Sequence, residues 1–155
     1  LTRGAVLVLD YGYPRDAYFD PGRTEGTLSA YRAHRRVIDP LTQPGATDLT
    51  AHVEFTGLAE AAVTAGFEPL GFADQHPYLL ALARPDFARW EAAPDDPGGA
   101  AERRALQTLT HPGLMGADFQ ACLFGRGFPF EEARTGFALR NRVSLLGAGC
   151  ARVPV

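Results

Sequence analysis

Asp10, Tyr11, Tyr31, His34, Asp48 and His52 all fall between positions 10 and 52 and carry the chain's most usable side-chain chemistry. Imidazole gains or loses a proton near neutral pH, so His34 or His52 could act as a general base. Each could equally be a structural hydrogen-bonder. A carboxylate can orient a protonated nucleophile, or hold a guanidinium through paired charge-assisted hydrogen bonds. Asp10 is placed for that role, or for capping a turn with its carboxylate on backbone amides; the sequence leaves both open. Tyr11 could stack on a substrate or supply a hydroxyl, or pack beneath a covering loop.

These residues need elements to position them. Asp10 and Tyr11 directly follow the apolar run Ala5-Val6-Leu7-Val8-Leu9, bounded by Gly4. Such a run reads as a fully buried strand of a parallel sheet. Ligands of open α/β sheets bind beyond the carboxyl ends of the strands, where Asp10 and Tyr11 stand. Residues 11–48 are irregular and rich in Gly, Pro and Asp, with turn signals at Asp20-Pro21-Gly22 and Gln43-Pro44-Gly45. Their aromatic residues, Tyr11, Tyr13, Tyr18, Phe19 and Tyr31, point to an ordered lid rather than disorder.

A helix follows, with Phe55, Leu58, Ala62 and Ala65 on one face. Glu54 is one candidate cap and Asp48 another, and Gly66 suits a left-handed end. Phe67 to Ala73 reads as a second strand. Pro77 permits a helix from Tyr78 that extends towards Trp90. Residues 93–101 read as a flexible loop, residues 102–109 as a short helix broken at Pro112-Gly113, and Asp118 to Phe124 as a third strand.

Several phrases in this order carry a resemblance: GAVLVLDYGYP, GTLSAYRAHR, DPLTQPGATDLTAHVEF, the stretch 75–82, and a weaker echo at residues 111–116. On them, residues 4–83 resemble the MidA family, which includes bacterial proteins and the mitochondrial complex I assembly factor. The resemblance implies an α/β fold, the C-terminal portion of a Rossmann-like class I methyltransferase sheet: its last three strands with flanking helices, the final strand inserted antiparallel between its two predecessors. It implies S-adenosylmethionine-dependent methyl transfer to a protein substrate, with an arginine side chain as the acceptor. As motif positions, Asp10, Tyr11, His34 and His52 are the implied catalytic residues, and Tyr31 and Asp48 the implied substrate contacts. The chain departs from the family pattern at Glu54, where Asp is usual, and at Gln120, where Lys is expected.

The family's glycine-rich cofactor loop belongs to an earlier strand that this chain does not include. S-adenosylmethionine is therefore the implied cofactor of a parent enzyme, and the isolated chain is expected to bind it weakly and to be inactive. Leu1 is not a natural start, which fits lost upstream sequence. The alternative is a non-catalytic interaction or assembly module, or a degenerate fragment lacking the cofactor site. Residues 1–127 form the C-terminal part of a methyltransferase domain in this reading, and residues 128–155 an irregular or disordered tail. Within that tail, Gly147-Ala148-Gly149 is too weak a motif to mark a cofactor turn.

Composition narrows the classes further. Hydrophobic residues at 46% and charged residues at 21% suit a globular domain of this length. No run approaches the ~18 apolar residues of a membrane span. A net charge of −3 offers no basic footprint for nucleic acid. All fifteen basic residues are Arg, a bias that fits codon usage better than function. Cys122 and Cys150 make neither a disulfide framework nor a metal site, which suits a reducing, cytoplasmic setting. His76 and His111 precede prolines in turn contexts, and no zinc-ligand spacing accompanies them. No Ser or Cys sits in a nucleophile elbow. Without its neighbour in the parent sheet, the strand at 5–9 is expected to expose an edge, which invites homo-oligomers or aggregation.

Overall fold

Residues 2–127 and 135–147 are described in the structure, a computed structural model. Its main sheet is built from β1 (Gly4–Tyr13), β5 (Val53–Glu54), β6 (Glu68–Asp74) and β7 (Phe119–Arg126), in the order β5-β1-β7-β6. β7 runs antiparallel to both β1 and β6, from Tyr11↔Phe119 to Gly4↔Arg126 on one side and from Asp74↔Gln120 to Glu68↔Gly125 on the other. The last strand therefore inserts between its predecessors, as the resemblance implies. β5 is parallel to β1 but pairs only at Gly12 and Tyr13.

β1 is not the buried, parallel strand that its apolar run suggests. Its long neighbour is antiparallel, and Val6, Leu7 and Leu9 remain 42, 44 and 48% exposed. Burial needs a partner as well as apolar side chains, and β5 reaches only the last two residues of β1. β7 has strands on both sides, and its residues from Gln120 to Gly125 are all buried.

The segment expected to be an irregular lid contains a second sheet. After α1 (Arg15–Tyr18) come β2 (Ser29–Arg32), β3 (Arg35–Val37) and β4 (Asp48–Thr50), antiparallel in the order β3-β2-β4. Strands of three or four residues hold too few alternating positions to show a period of two. The β2–β3 hairpin turns through Ala33 and His34, both with positive φ (47° and 60°), as a type I′ turn demands.

α2 (Phe55–Thr64) starts on Glu54, whose carboxylate accepts from the Thr56 and Gly57 N–H groups at 2.9 Å each. Asp48, the other candidate cap, lies in β4 instead. Gly66 (φ 82°) closes the helix: its N–H donates to Val63 O and that of Phe67 to Ala62 O, a Schellman ending. α3 (Gln75–Ala92) begins three residues before Tyr78 because Pro77 falls in the first turn, where no intrahelical donor is needed. α4 (Pro97–Thr110) takes up much of the expected loop at 93–101; Asp96 caps it by accepting from the Gly99 N–H at 2.6 Å.

Of the region expected to be an irregular or disordered tail, residues 135–147 are described. They form two short 3₁₀ turns, Thr135–Phe137 and Val143–Leu146. Phe137 is buried against Tyr78, with ring centroids 5.0 Å apart, and Leu146 joins Phe55, Phe72 and Cys122 in the core. Asn141 takes the place of a strand along the outer edge of β6. Its amide accepts from the Phe72 N–H at 3.1 Å and donates to Leu70 O at 3.2 Å, while the Arg142 N–H donates to Phe72 O at 2.6 Å. No periodicity announces this strap, because one side chain does the work of a ladder. Gly149 and Cys150 lie outside the described residues.

Candidate active site

A cleft of about 500 Å³ opens where β1 ends and β7 begins. Tyr11 and Tyr13, two residues apart on one strand, point the same way and form one wall. Tyr31 of β2, Thr27 and Ser29 close it from the small sheet, and Asp118, Phe119 and Gln120 from the start of β7. His52, between β4 and β5, completes it.

Gly12 makes the arrangement possible. A Cβ there would stand 2.2 Å from the Val53 carbonyl oxygen and 2.9 Å from the Phe55 ring. Only a bare backbone lets β5 approach β1 so closely, and that approach brings His52 against both tyrosines. Tyr13 stacks on the imidazole (centroids 5.1 Å, planes 19° apart), and Tyr11 meets it edge-on at 5.3 Å. Tyr11 also meets Phe119 edge-on at 5.5 Å, and its hydroxyl is hydrogen-bonded to that of Thr50. The His52 N–H donates to Thr27 Oγ1 at 3.3 Å. Its ring Nδ1 is buried and has no hydrogen-bond partner among the described residues. The Arg23 guanidinium lies 4.3 Å from the centroid of the Tyr13 ring.

The structure divides the residues singled out from the sequence. Tyr11, Tyr31 and His52 share the cleft. Asp10 does not line it, since alternation turns its side chain to the opposite face from Tyr11. Its carboxylate accepts from the Tyr11 N–H at 2.8 Å inside β1, so it caps no turn. His34 is exposed at the hairpin tip and borders a second depression of about 450 Å³ with Tyr31 and Asp48. The two histidines thus serve different surfaces, and Tyr31 touches both.

Tyr13, Thr27, Asp118 and Gln120 are cleft residues that the sequence reading did not single out for the site. For Tyr13 a signal was present: its i, i+2 spacing from Tyr11 places both on one face of a strand. Asp118 and Gln120 come from a distant part of the chain, and nothing local marks them. His76 and His111 are structural. Nδ1 of His76 is 2.7 Å from Thr110 O, and Nδ1 of His111 accepts from the Gly113 N–H at 3.1 Å. Among the described residues no cluster of His, Cys, Asp or Glu could hold a metal ion, and no helix is long and apolar enough to cross a membrane.

An antiparallel last strand between two predecessors, with a polar cleft at the strand ends, defines the closing part of a class I methyltransferase sheet. Comparison with known proteins agrees. Residues 1–73 match the family described as S-adenosyl-L-methionine-dependent methyltransferase. The chain is 31% identical over 121 residues to the protein arginine methyltransferase NDUFAF7 homolog, mitochondrial, of Drosophila melanogaster. Two solved structures of one superfamily from Burkholderia thailandensis are each 36% identical; they cover 92 and 90% of this chain with TM-scores of 0.76 and 0.75. The second is bound to S-adenosyl-homocysteine. The chain belongs to the MidA-like family of S-adenosylmethionine-dependent methyltransferases. It spans 25% of the length of the Drosophila relative and 37 and 35% of the two solved chains.

Proposed function

We propose that this chain forms the acceptor side of an S-adenosylmethionine-dependent protein methyltransferase, and that its cleft receives an arginine side chain. The observation that carries the reading is the composition of the cleft: three tyrosines, Phe119 and His52 line it together with Asp118. Guanidinium groups stack on aromatic faces and pair with carboxylates. The molecule's own Arg23 on Tyr13 shows such a ring face holding a guanidinium. The comparisons favour methyl transfer over an assembly module, since a relative carries the arginine methyltransferase name and another binds the demethylated cofactor.

S-adenosylmethionine, when bound, supplies an electrophilic methyl group; the glycine-rich loop of the fold that holds it lies outside this chain. The residues here do the rest. The aromatic walls align the acceptor nitrogen and exclude water. Asp118 balances the guanidinium charge. As the nitrogen gains a methyl group it must release a proton, and the imidazole of His52, a lining residue of the cleft, takes it. Asp10 acts indirectly, by fixing the backbone of Tyr11, and His34 with Asp48 receives flanking parts of the substrate. A cytoplasmic setting completes the proposal, supported by a composition with two cysteines and no disulfide framework.

The test joins this chain to the N-terminal part of a Burkholderia thailandensis relative and follows a labelled methyl group from S-adenosylmethionine into arginine-bearing peptides. Incorporation above that of the His52→Ala variant is expected. A chimera that binds S-adenosyl-homocysteine but labels no peptide would overturn the reading.

A further inference from the structure

The tip of the β2–β3 hairpin gathers charge that nothing around it balances. Arg32 and Arg35 stand directly opposite each other, the last register pair before the turn, and Arg36 pairs with Tyr31. Like charges set opposite on a ladder repel. The turn adds its own cost, since Ala33 and His34 both hold the positive φ that side chains disfavour. Every ion pair among the described residues uses Arg15, Arg89, Arg140 or Arg142. Arg32 donates to the neutral Gln43 amide at 2.8 Å, and Arg35 and Arg36 are exposed. The chain has 18 acidic residues for 15 arginines, yet among the described residues no carboxylate pairs with these three.

The hairpin is continuous with the cleft. Tyr31 lines both the cleft and the depression that Arg32 and His34 border. β3 is an edge of the small sheet. Because side chains alternate, a segment lying along that edge meets Arg36 on the face shared with Tyr31 and Arg35 on the other. Asp48 pairs with Tyr31 from the opposite side. The row Arg36, Tyr31, Asp48 is therefore polarised, with its basic end at β3.

We propose that this hairpin docks an acidic segment of the protein substrate, beside the arginine that the cleft receives. The inference rests on the acceptor reading of the cleft and adds the substrate class, an arginine with Asp or Glu near it in sequence. A peptide whose arginine enters the cleft carries its neighbours past Tyr31 and onto β3. Guanidinium groups bind carboxylates through two parallel hydrogen bonds, and such a partner also relieves the repulsion between Arg32 and Arg35. Nucleic acid fits less well. A phosphate backbone calls for a broad basic face, and here three arginines stand on a chain of net charge −3.

Three blocked peptides test this in titrations of the ¹⁵N-labelled chain: acetyl-Glu-Glu-Gly-Arg-Gly-Glu-Glu-amide, its counterpart with Gln for every Glu, and the acidic peptide with Ala for Arg. The first is expected to move the backbone N–H signals of residues 32–36 together with those of the aromatic walls. It should bind roughly three- to tenfold more tightly than the Gln peptide, the worth of two or three exposed ion pairs. The advantage should vanish at about 1 M salt. Arg35→Glu faces Arg32 with an opposite charge, so this variant should keep or raise its thermal midpoint while losing the preference for Glu. Equal affinity for the Glu and Gln peptides would overturn the proposal. So would tighter binding to a DNA duplex or to phosphatidylserine vesicles than to the acidic peptide. In the joined enzyme Arg35→Glu should leave S-adenosyl-homocysteine binding unchanged; weaker binding there would assign the hairpin to the N-terminal part and sink the proposal too. Equal affinity for the acidic Arg and Ala peptides would instead overturn the acceptor reading and leave the hairpin site standing.

Discussion

β1 and β7 lie side by side and are alike in composition, yet one is half exposed and the other buried along its length. Val6, Leu7 and Leu9 of β1 keep 42, 44 and 48% of their surface, whereas Ala121 and Cys122 on β7 keep none. The two strands share a ladder of eight residue pairs, so local backbone geometry does not separate them. What differs is the second neighbour. β7 has β6 on its far side, and behind that the strap; β1 has only two residues of β5. Apolar side chains state a demand for burial, and their neighbours decide whether it is met.

The largest effect should come from the covered side of the sheet. Phe72→Ala removes a fully buried ring that touches Phe55 and the strap, and should cost about 3–5 kcal/mol. Leu7→Ala on β1, already 44% exposed, should cost less than ~1 kcal/mol. Denaturant unfolding of both variants checks this. Equal losses would mean that β1 is covered in solution and that the contrast between the strands is false.

The cleft offers a second contrast, between a side chain that lines it and one turned away from it. In the joined enzyme, His52→Ala on the cleft side should lower methyl transfer about a hundredfold, the lower range for loss of a positioned base. Asp10→Asn on the other face still accepts the Tyr11 N–H and should lower it much less. Initial rates at saturating cofactor decide, and a comparable loss in both would place Asp10 in the chemistry. Without joining, the isolated chain should bind S-adenosylmethionine weakly at best, and tight stoichiometric binding in a calorimeter would contradict the placement of the cofactor site on earlier strands.

The bare edge and face of β1 should also drive association. A strand with unpaired backbone groups and apolar side chains is a template for another strand. Sedimentation of the chain should show dimers or larger species, and Leu7→Arg should shift the distribution towards monomer. A wild-type chain that sediments as a monomer with a cooperative thermal transition would show that β1 tolerates its exposure.

The smallest effect concerns the link from the end of β1 to α2. Arg15 donates to Glu60 at 2.6 and 2.7 Å and to Glu54 at 3.2 Å. The bond from Arg15 holds the Glu60 carboxyl below its ordinary value of 4.5. A carboxyl with a lowered folded value contributes stability above its unfolded value and loses it as pH falls through the folded one. The small stability gap between wild type and Glu60→Gln should therefore be present at pH 7 and close below pH 4.5. A gap that is unchanged at low pH would show that the ion pair adds nothing to holding α1 on α2.

Much of the framework was legible beforehand because it is written locally. The apolar runs of β1, β6 and β7, the Glu54 cap and the Gly66 ending of α2 each depend on residues within a few positions of one another. The motif phrases singled out Tyr11, Tyr31 and His52, which the structure brings to one cleft, and the antiparallel last strand followed from resemblance. Other features were hidden for a physical reason: each depends on residues far apart in sequence. The short strands of the small sheet show themselves only when paired. His34 and His52 look equivalent in the sequence, but a type I′ turn sends one to a hairpin tip while the Gly12–Val53 approach draws the other between two tyrosines.

The sequence by itself determined the element types, the cap chemistry and the family, since propensity, periodicity and motif order are properties of neighbouring residues. Only the tertiary structure decided which apolar strand is covered, which histidine enters the cleft, and that Arg142 of an aperiodic segment is bonded to Gln120. Burial and hydrogen bonding between distant residues are set by how elements pack, and no stretch of chain carries that information alone.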